Sequence, residues 1–228
     1  MADAVEAAAS GDVTFIAVPD DAIAEVAAGL VPAVGEGRWM VHTAGGVSVD
    51  ALAAVRSAGA RTGSLHPLQT LPSARRGAEV LRGAAVAVTS EPEDRALLFR
   101  LARAWGGRPF PLPDASKTLY HAAAVFASNY IVTAVWVASN LMRSAGVADG
   151  PRLLAPLAAT SLANVADRGP SAAITGPVAR GDAGAVRRHL DALREVDTSG
   201  NTSEVYRALA RMTAELVGEQ AWIEEATA

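Results

Sequence analysis

The sequence predicts an α/β half followed by an all-α half, on three observations. Short apolar runs of strand length alternate with helix-length segments from Val13 to Leu112, the pattern of a mostly parallel sheet with helices on both faces. The composition shifts near Pro113, and no strand pattern recurs beyond it. From Thr118 to Met142 there is no charged side chain, so a long apolar helix opens the second half. The expected domains are therefore 1–112 and 113–228.

Val13–Val18 is a continuous apolar run, as suits a strand buried on both faces. Pro19 ends it, and Asp20 or Asp21 is expected to cap the helix AIAEVAAGLV. The same grammar repeats. Trp39–Val41 is a short strand, His42 to Gly46 a loop, and Ser48 the cap of VDALAAVRSAG. Arg61–Leu65 is the next strand and His66 to Thr70 its loop. Ala85–Thr89, the helix EPEDRALLFRLARAWGG and a strand around Arg108–Leu112 complete this half. Beyond it, Asp114 or Ser116 caps the apolar helix, and Arg152–Asp167 is helical with Pro156 in its first turns. Residues 168–182 form a Gly- and Pro-rich loop, and GAVRRHLDALREV and Ser203–Glu219 are helices.

Composition narrows the function. A net charge of -4 gives no electrostatic basis for nucleic-acid binding. The absence of cysteine excludes disulfides, thiolate catalysis and Cys-based metal sites, and fits a cytoplasmic protein. The four histidines, at 42, 66, 121 and 189, have no metal-ligand spacing, so no metal is expected. No basic n-region followed by an apolar stretch marks the start as a signal peptide. The helix from Thr118 to Met142 is long enough to span a bilayer. Polar side chains encircle it, however, including His121, Ser128, Asn129 and Thr133. It reads as a buried helix, partly covered by a second subunit, which implies a homodimer and no membrane.

Ligands of an open parallel sheet sit at the carboxyl ends of its strands. The loops there are VPDD with Val18, Pro19 and Asp20, HTAGG with His42 and Thr43, and HPLQT with His66, Pro67 and Gln69. A solvent loop explains any one of them alone; a binding role is the better account of the set. Lys117 and His121 share one face of the apolar helix, at four-residue spacing. A partly buried ammonium or imidazole can stabilise charge, or supply a proton, as hydride reaches a carbonyl or imine. The bland account is a snorkelling lysine and a satisfied core histidine. Asn129, as a buried amide, must find partners, either a ligand or a neighbouring helix. Arg180, with Thr175 and Gly176, lies in a Gly- and Pro-rich loop and could hold a substrate carboxylate. Asp182 reads as a helix cap, and His189 as packing or surface.

VPDDAI, HTAGG, GSLHPLQTL, KTLYHAAAVFASNY, ITGPVARGD and RRHLDAL together resemble a family of Rossmann-like proteins with a C-terminal domain of unknown function, number 2520. Its distant relatives are pyrroline-5-carboxylate reductase, ketopantoate reductase and the 3-hydroxyacid dehydrogenases. The resemblance runs from about Asp12 to about Met212. It implies an oxidoreductase using NADP, or else NAD or a deazaflavin, to reduce a small C=O or C=N substrate in a cleft between the domains. It also implies that Lys117 and His121 work beside the reacting carbon, with His66, Pro67, His42 and Thr43 at the cofactor.

One departure is large: the GxGxxG turn of the family's first βα unit is missing. The expectation is a partial Rossmann-type sheet, N-terminally truncated by roughly 50 residues, with activity impaired by that loss. The alternative expectation is a non-catalytic metabolite-binding or assembly subunit that dimerises through its helices. On either reading of function, Lys117 and His121 are expected to face the loops that hold His42 and His66.

Overall fold

The structure, a computed structural model, describes residues 2–35, 37–71, 73–218 and 221–227. Its contacts divide the chain into two compact units, 1–129 and 130–228. The composition shift at Pro113 assigns the whole apolar helix to the second half; by contacts, its first part, through Asn129, groups with the sheet.

In the first unit, α1 (Ala2–Ala9) leads into β1 (Val13–Ile16), followed by α2 (Ile23–Gly29), β2 (Trp39–His42) and α3 (Ala53–Ser57). Then come β3 (Arg61–Pro67), α4 (Ala74–Val80), β4 (Ala85–Thr89), α5 (Arg95–Ala104) and β5 (Arg108–Pro111). The five strands lie in the order β1-β2-β3-β4-β5. All neighbours run parallel except β3 and β4, which are antiparallel. This is the α/β sheet that the alternating pattern predicts.

Strand alternation builds two cores. Met40 points to the face covered by α1, α2 and α3, where Ile16, Ile23, Leu52 and Val55 are buried. Trp39 and Val41 point to the other face, against Leu65, Val86, Val88 and α5 residues Leu98 and Ala102. Gly63 sits where α5 presses closest: a Cβ there would come within 2.5 Å of Leu98 Cδ1. The register also sets His42 opposite Ser64. Two neighbouring strands thus deliver two buried polar side chains side by side.

α6 (Lys117–Ala127) ends at Ser128, whose φ of -129° and ψ of -69° interrupt the helix before α7 (Asn129–Ser144). The second unit continues with α8 (Gly150–Arg168), α9 (Pro170–Ala173), α10 (Ala183–Val196), α11 (Asn201–Val217) and α12 (Ile223–Thr227). Its core is made by Val186, Leu190 and Leu193 of α10, Ala210 and Ala214 of α11 and Ile223 of α12. Asp182 caps α10 through Ala185 N at 2.9 Å. Gly150 lies so close to α7 that a Cβ would stand 2.9 Å from Ser139 Cα.

Four sequence expectations are corrected. His42 belongs to β2, not to the loop after it, and β3 extends through His66 and Pro67. Asp20 and Asp21 make no cap: Pro19 holds the cap position of the 3-10 turn Asp20–Ala22, without a side-chain bond. Asp114 does not cap its own helix, nor does Ser116. Its carboxylate instead accepts from Ser48 Oγ at 2.6 Å and Val49 N at 2.9 Å, closing a helix start 65 residues earlier in the chain. The apolar helix is not buried in its own chain. It is long and apolar enough to cross a membrane, yet only 6% of its most apolar window is covered.

Candidate active site

The first unit gathers a polar cluster where β2 and β3 end and α6 begins. Lys117 is the first residue of α6 and is 1% exposed. Its Nζ donates to Ala44 O at 3.1 Å and to Ser64 Oγ at 2.9 Å. Burial lowers its pKa from 10.5 to about 8, against the opposing pull of Asp114 and Asp20. Near neutral pH it is therefore still an ammonium, sunk into the protein beneath the strand ends.

Around it lie three aromatic side chains that reach further out. His66, at the end of β3, is half-buried and its Nδ1 sits 2.7 Å from Tyr120 Oη. Burial, then Lys117 and His121, hold His66 down at about 4, so its imidazole is neutral at physiological pH. Burial pushes the Tyr120 phenol up to about 12, so it keeps its proton. His121 is exposed, and its ring centroid lies 6.2 Å from that of His66.

Gly45 threads between the two imidazoles. A Cβ on it would stand 2.8 Å from His121 Nδ1 and 2.8 Å from His66 Nε2. A larger residue there would have to push an imidazole aside, so glycine suits this passage of the HTAGG backbone. The face of α6 carrying Lys117 and His121 thus meets the His66 and HTAGG segments.

His42 lies behind the cluster, at 0% exposure. Its Nδ1 accepts from Ala44 N at 3.2 Å, and Nε2 makes no hydrogen bond of ordinary geometry. Burial and then Lys117 bring its pKa to about 4. It holds the loop backbone and offers no surface to a ligand, contrary to its expected place as a contact residue.

The remaining candidates are dispersed. Thr43 is half-buried next to Ala44, and Val18, Pro19 and Asp20 follow the end of neighbouring β1. Pro67 is buried in β3, and Gln69 is exposed, its Oε1 accepting from Thr70 N. Asn129 is exposed beside the break at Ser128, whose Oγ lies 2.8 Å from its Oδ1, so it is not the buried amide that was expected. Thr175, Gly176 and Arg180 belong to the second unit, in the turn leading to α10. Among the described residues no cluster of three His, Asp or Glu side chains could hold a metal ion.

Tyr120 and Ser64 are not singled out by the sequence reading, and Asp114 enters it only as a local helix cap. Tyr120 was legible, since positions 117, 120 and 121 share one helix face by their i, i+3, i+4 spacing. Ser64 and Asp114 carry no local signal, because their partners lie far away in the chain.

The family model for the domain of unknown function DUF2520 matches residues 84–213. No curated protein matches the chain. Among solved structures, protein TM1727 from Thermotoga maritima is similar at 22% identity and a TM-score of 0.77, over 92% of this chain and 80% of that one. Protein BF3122 from Bacteroides fragilis, provisionally named an NADP oxidoreductase, is 24% identical with a TM-score of 0.73, over 90% and 76% of the two chains. A reductive aminase from Aspergillus terreus, solved with NADPH and ethyl levulinate, is 19% identical with a TM-score of 0.63, over 98% and 80%. At these identities the likenesses show a shared fold, a Rossmann-like α/β unit followed by helices. The family match spans more than half of the 228 residues, and the chain belongs to the DUF2520 family.

Proposed function

We propose that this chain is an NADPH-dependent oxidoreductase that reduces a small C=N or C=O substrate beside the carboxyl ends of β2 and β3. The observation that carries the reading is the buried Lys117 ammonium under a phenol and two imidazoles. The fold neighbours support it, since those solved with a nicotinamide hold NADPH or NADP+. That favours NADP over NAD or a deazaflavin.

The residues present fit one end of such a cofactor. Thr43, and Gly46 beside His121, are uncharged and half-buried and suit a nicotinamide ring and its ribose. Phosphates fit less well, since Asp20 and Asp21 occupy the first turn after β1 and would repel them. Bound there, the cofactor would supply a hydride.

The chain's own groups do the rest. As hydride reaches carbon, negative charge or basicity develops on the substrate's nitrogen or oxygen. The Lys117 charge, fixed by Ala44 O and Ser64 Oγ in a water-poor site, favours that development without itself touching the substrate. Tyr120 holds a transferable proton, and neutral His66 at 2.7 Å can relay its replacement. His121, exposed above Gly46, is placed to orient or protonate the substrate.

Calorimetric titration with NADPH and NADH, followed by NADPH consumption with a panel of cyclic imines and ketones, tests the reading. Saturable binding that prefers NADPH is expected. Lys117→Met should lower kcat by roughly 100-fold with binding retained, and Tyr120→Phe by a similar factor. In the wild type, turnover should decline as pH rises through about 8, where Lys117 loses its charge. No binding of either nucleotide and no turnover would overturn the proposal.

A further inference from the structure

The first unit carries a polar cavity that the proposed chemistry does not use. It measures about 1000 Å³ and opens between the start of β3 and the turns after β4 and β5. Lys117, His66, Tyr120 and His121 do not line it. It adjoins their site, since Thr89 in its wall is the register partner of Ser64, which accepts from Lys117.

Several of its polar groups already have partners. Asp50 pairs with Arg56 and Asp94 with Arg61, while Asp114 accepts from Ser48 and Val49. The others are open. Thr62 is only 7% exposed, yet its hydroxyl has no hydrogen-bond partner among the described residues. Arg95 lines the cavity with its Nε enclosed and unpartnered. Neither Arg95 nor Glu91 nor Glu93 forms an ion pair among the described residues. α5 begins at the same wall, where Asp94 holds the cap position but makes no side-chain cap bond. Buried polar groups and the first N–H groups of a helix ordinarily find partners.

We infer that this cavity binds a free α-amino acid with an apolar side chain. A carboxylate answers the Arg95 guanidinium, the Thr62 hydroxyl and the uncapped first turn of α5. A purely anionic ligand such as phosphate fits less well, because five carboxylates and three guanidinia line the space. Glu91 and Glu93 call instead for an ammonium. They precede Arg95 by four and two residues in one turn, so the two ligand charges must lie close together, as they do about an α-carbon. Val49, Ala60 and Leu112 supply an apolar lining for the side chain.

The inference does not depend on the proposed reduction and is tested without nucleotide. Calorimetric titration of the full chain with leucine should show saturable binding. Isocaproate and isoamylamine, which lack the ammonium and the carboxylate in turn, should not saturate. Arg95→Gln should weaken leucine binding by roughly 10-fold or more. If that variant does not fold, hydrogen exchange of the wild type replaces it. Leucine should then raise protection at the start of α5 and leave α10 and α11 unchanged. Absence of that protection, equal binding of either analogue, or leucine binding that Arg95→Gln leaves intact would overturn the inference. So would a failure of leucine, phenylalanine and methionine alike to bind, whatever the outcome with NADPH.

Discussion

The two units solve opposite problems with the same apolar-rich composition. The first closes its core from both sides of a sheet and then buries charge and imidazoles at one end of it, including Lys117 and His42. The second makes a small core from α10, α11 and α12 and leaves the apolar faces of α7 and α8 uncovered. Polar groups inside and apolar groups outside are both costly. Each unit therefore carries its own departure from ordinary burial, buried polar groups in the first and exposed apolar ones in the second.

The sharpest way to break the second unit is to fill its closest helix crossing. Gly150→Val would place a Cβ 2.9 Å from Ser139 Cα, a backbone atom that cannot swing aside. A loss of about 3 kcal/mol is expected, read as a lower midpoint in urea. The signals of the first unit should hold, since the altered contact lies wholly within residues 130–228.

Acid should break the first unit preferentially. His42 and His66 both have folded pKa values of about 4 against 6.5 for the ordinary side chain. A depressed pKa means that the unfolded chain takes up protons first as pH falls. The stability these neutral imidazoles contribute is fully present above pH 6.5 and drains away as pH falls towards 4. The loss should be on the order of 2 kcal/mol, mostly from His42, which has no exposure. His42→Asn should flatten the pH dependence of unfolding in this window. Among the described residues, the buried polar side chains of the second unit are Ser139, Ser203 and Thr227, none of which titrates, so that unit should respond far less in this window.

Legibility in the sequence divides along similar lines. Strands such as Val13–Ile16 and Ala85–Thr89 are readable as strands from their short apolar, β-branched runs, but β1 is not buried on both faces as expected: it lies at the sheet edge and leaves Phe15 38% exposed. α4, with the sequence ARRGAEV, has no apolar stripe to betray it. At the site, Lys117 and His121 are readable from helix periodicity, whereas Ser64 is not, because it meets Lys117 across 53 residues. The apolar run Trp39–Val41 on its own places His42 in the following loop. Hydrogen bonding carries that strand one residue further and turns a presumed ligand contact into a buried support. The apolar helix shows a subtler limit. Its composition suits a covered helix, yet its own chain leaves it exposed.

Helix caps allow a matched comparison between the units. Asp182→Ala removes a local cap and should cost about 1 kcal/mol, visible in stability alone. Asp114→Ala removes a cap delivered from across the fold, leaving Val49 N and the Ser48 hydroxyl proton without their acceptor while Ser48 Oγ still accepts from Asp50 N, at about 1–2 kcal/mol. Asp114 also holds the Lys117 pKa up, so its loss should shift the decline in turnover to a pH below 8. If Asp114→Ala changes stability and leaves the pH profile untouched, the electrostatic tie between cap and site is wrong.

The smallest expected difference concerns ion pairs. In the second unit Arg187 and Glu225 meet at 2.8 Å with side chains 51% and 84% exposed. Water screens such a pair, and a double-mutant cycle should find a coupling of only about 0.3 kcal/mol. In the first unit Arg61 pairs with Asp94, whose side chain is 10% exposed, and its guanidinium also lies 4.7 Å from the centre of the Trp39 ring. Less solvent and a stacked partner should raise that coupling to about 1 kcal/mol. High salt should erase the first value and only reduce the second, because a desolvated pair is screened less than an exposed one. Equal couplings in the two units would mean that Asp94 is better hydrated than its burial implies.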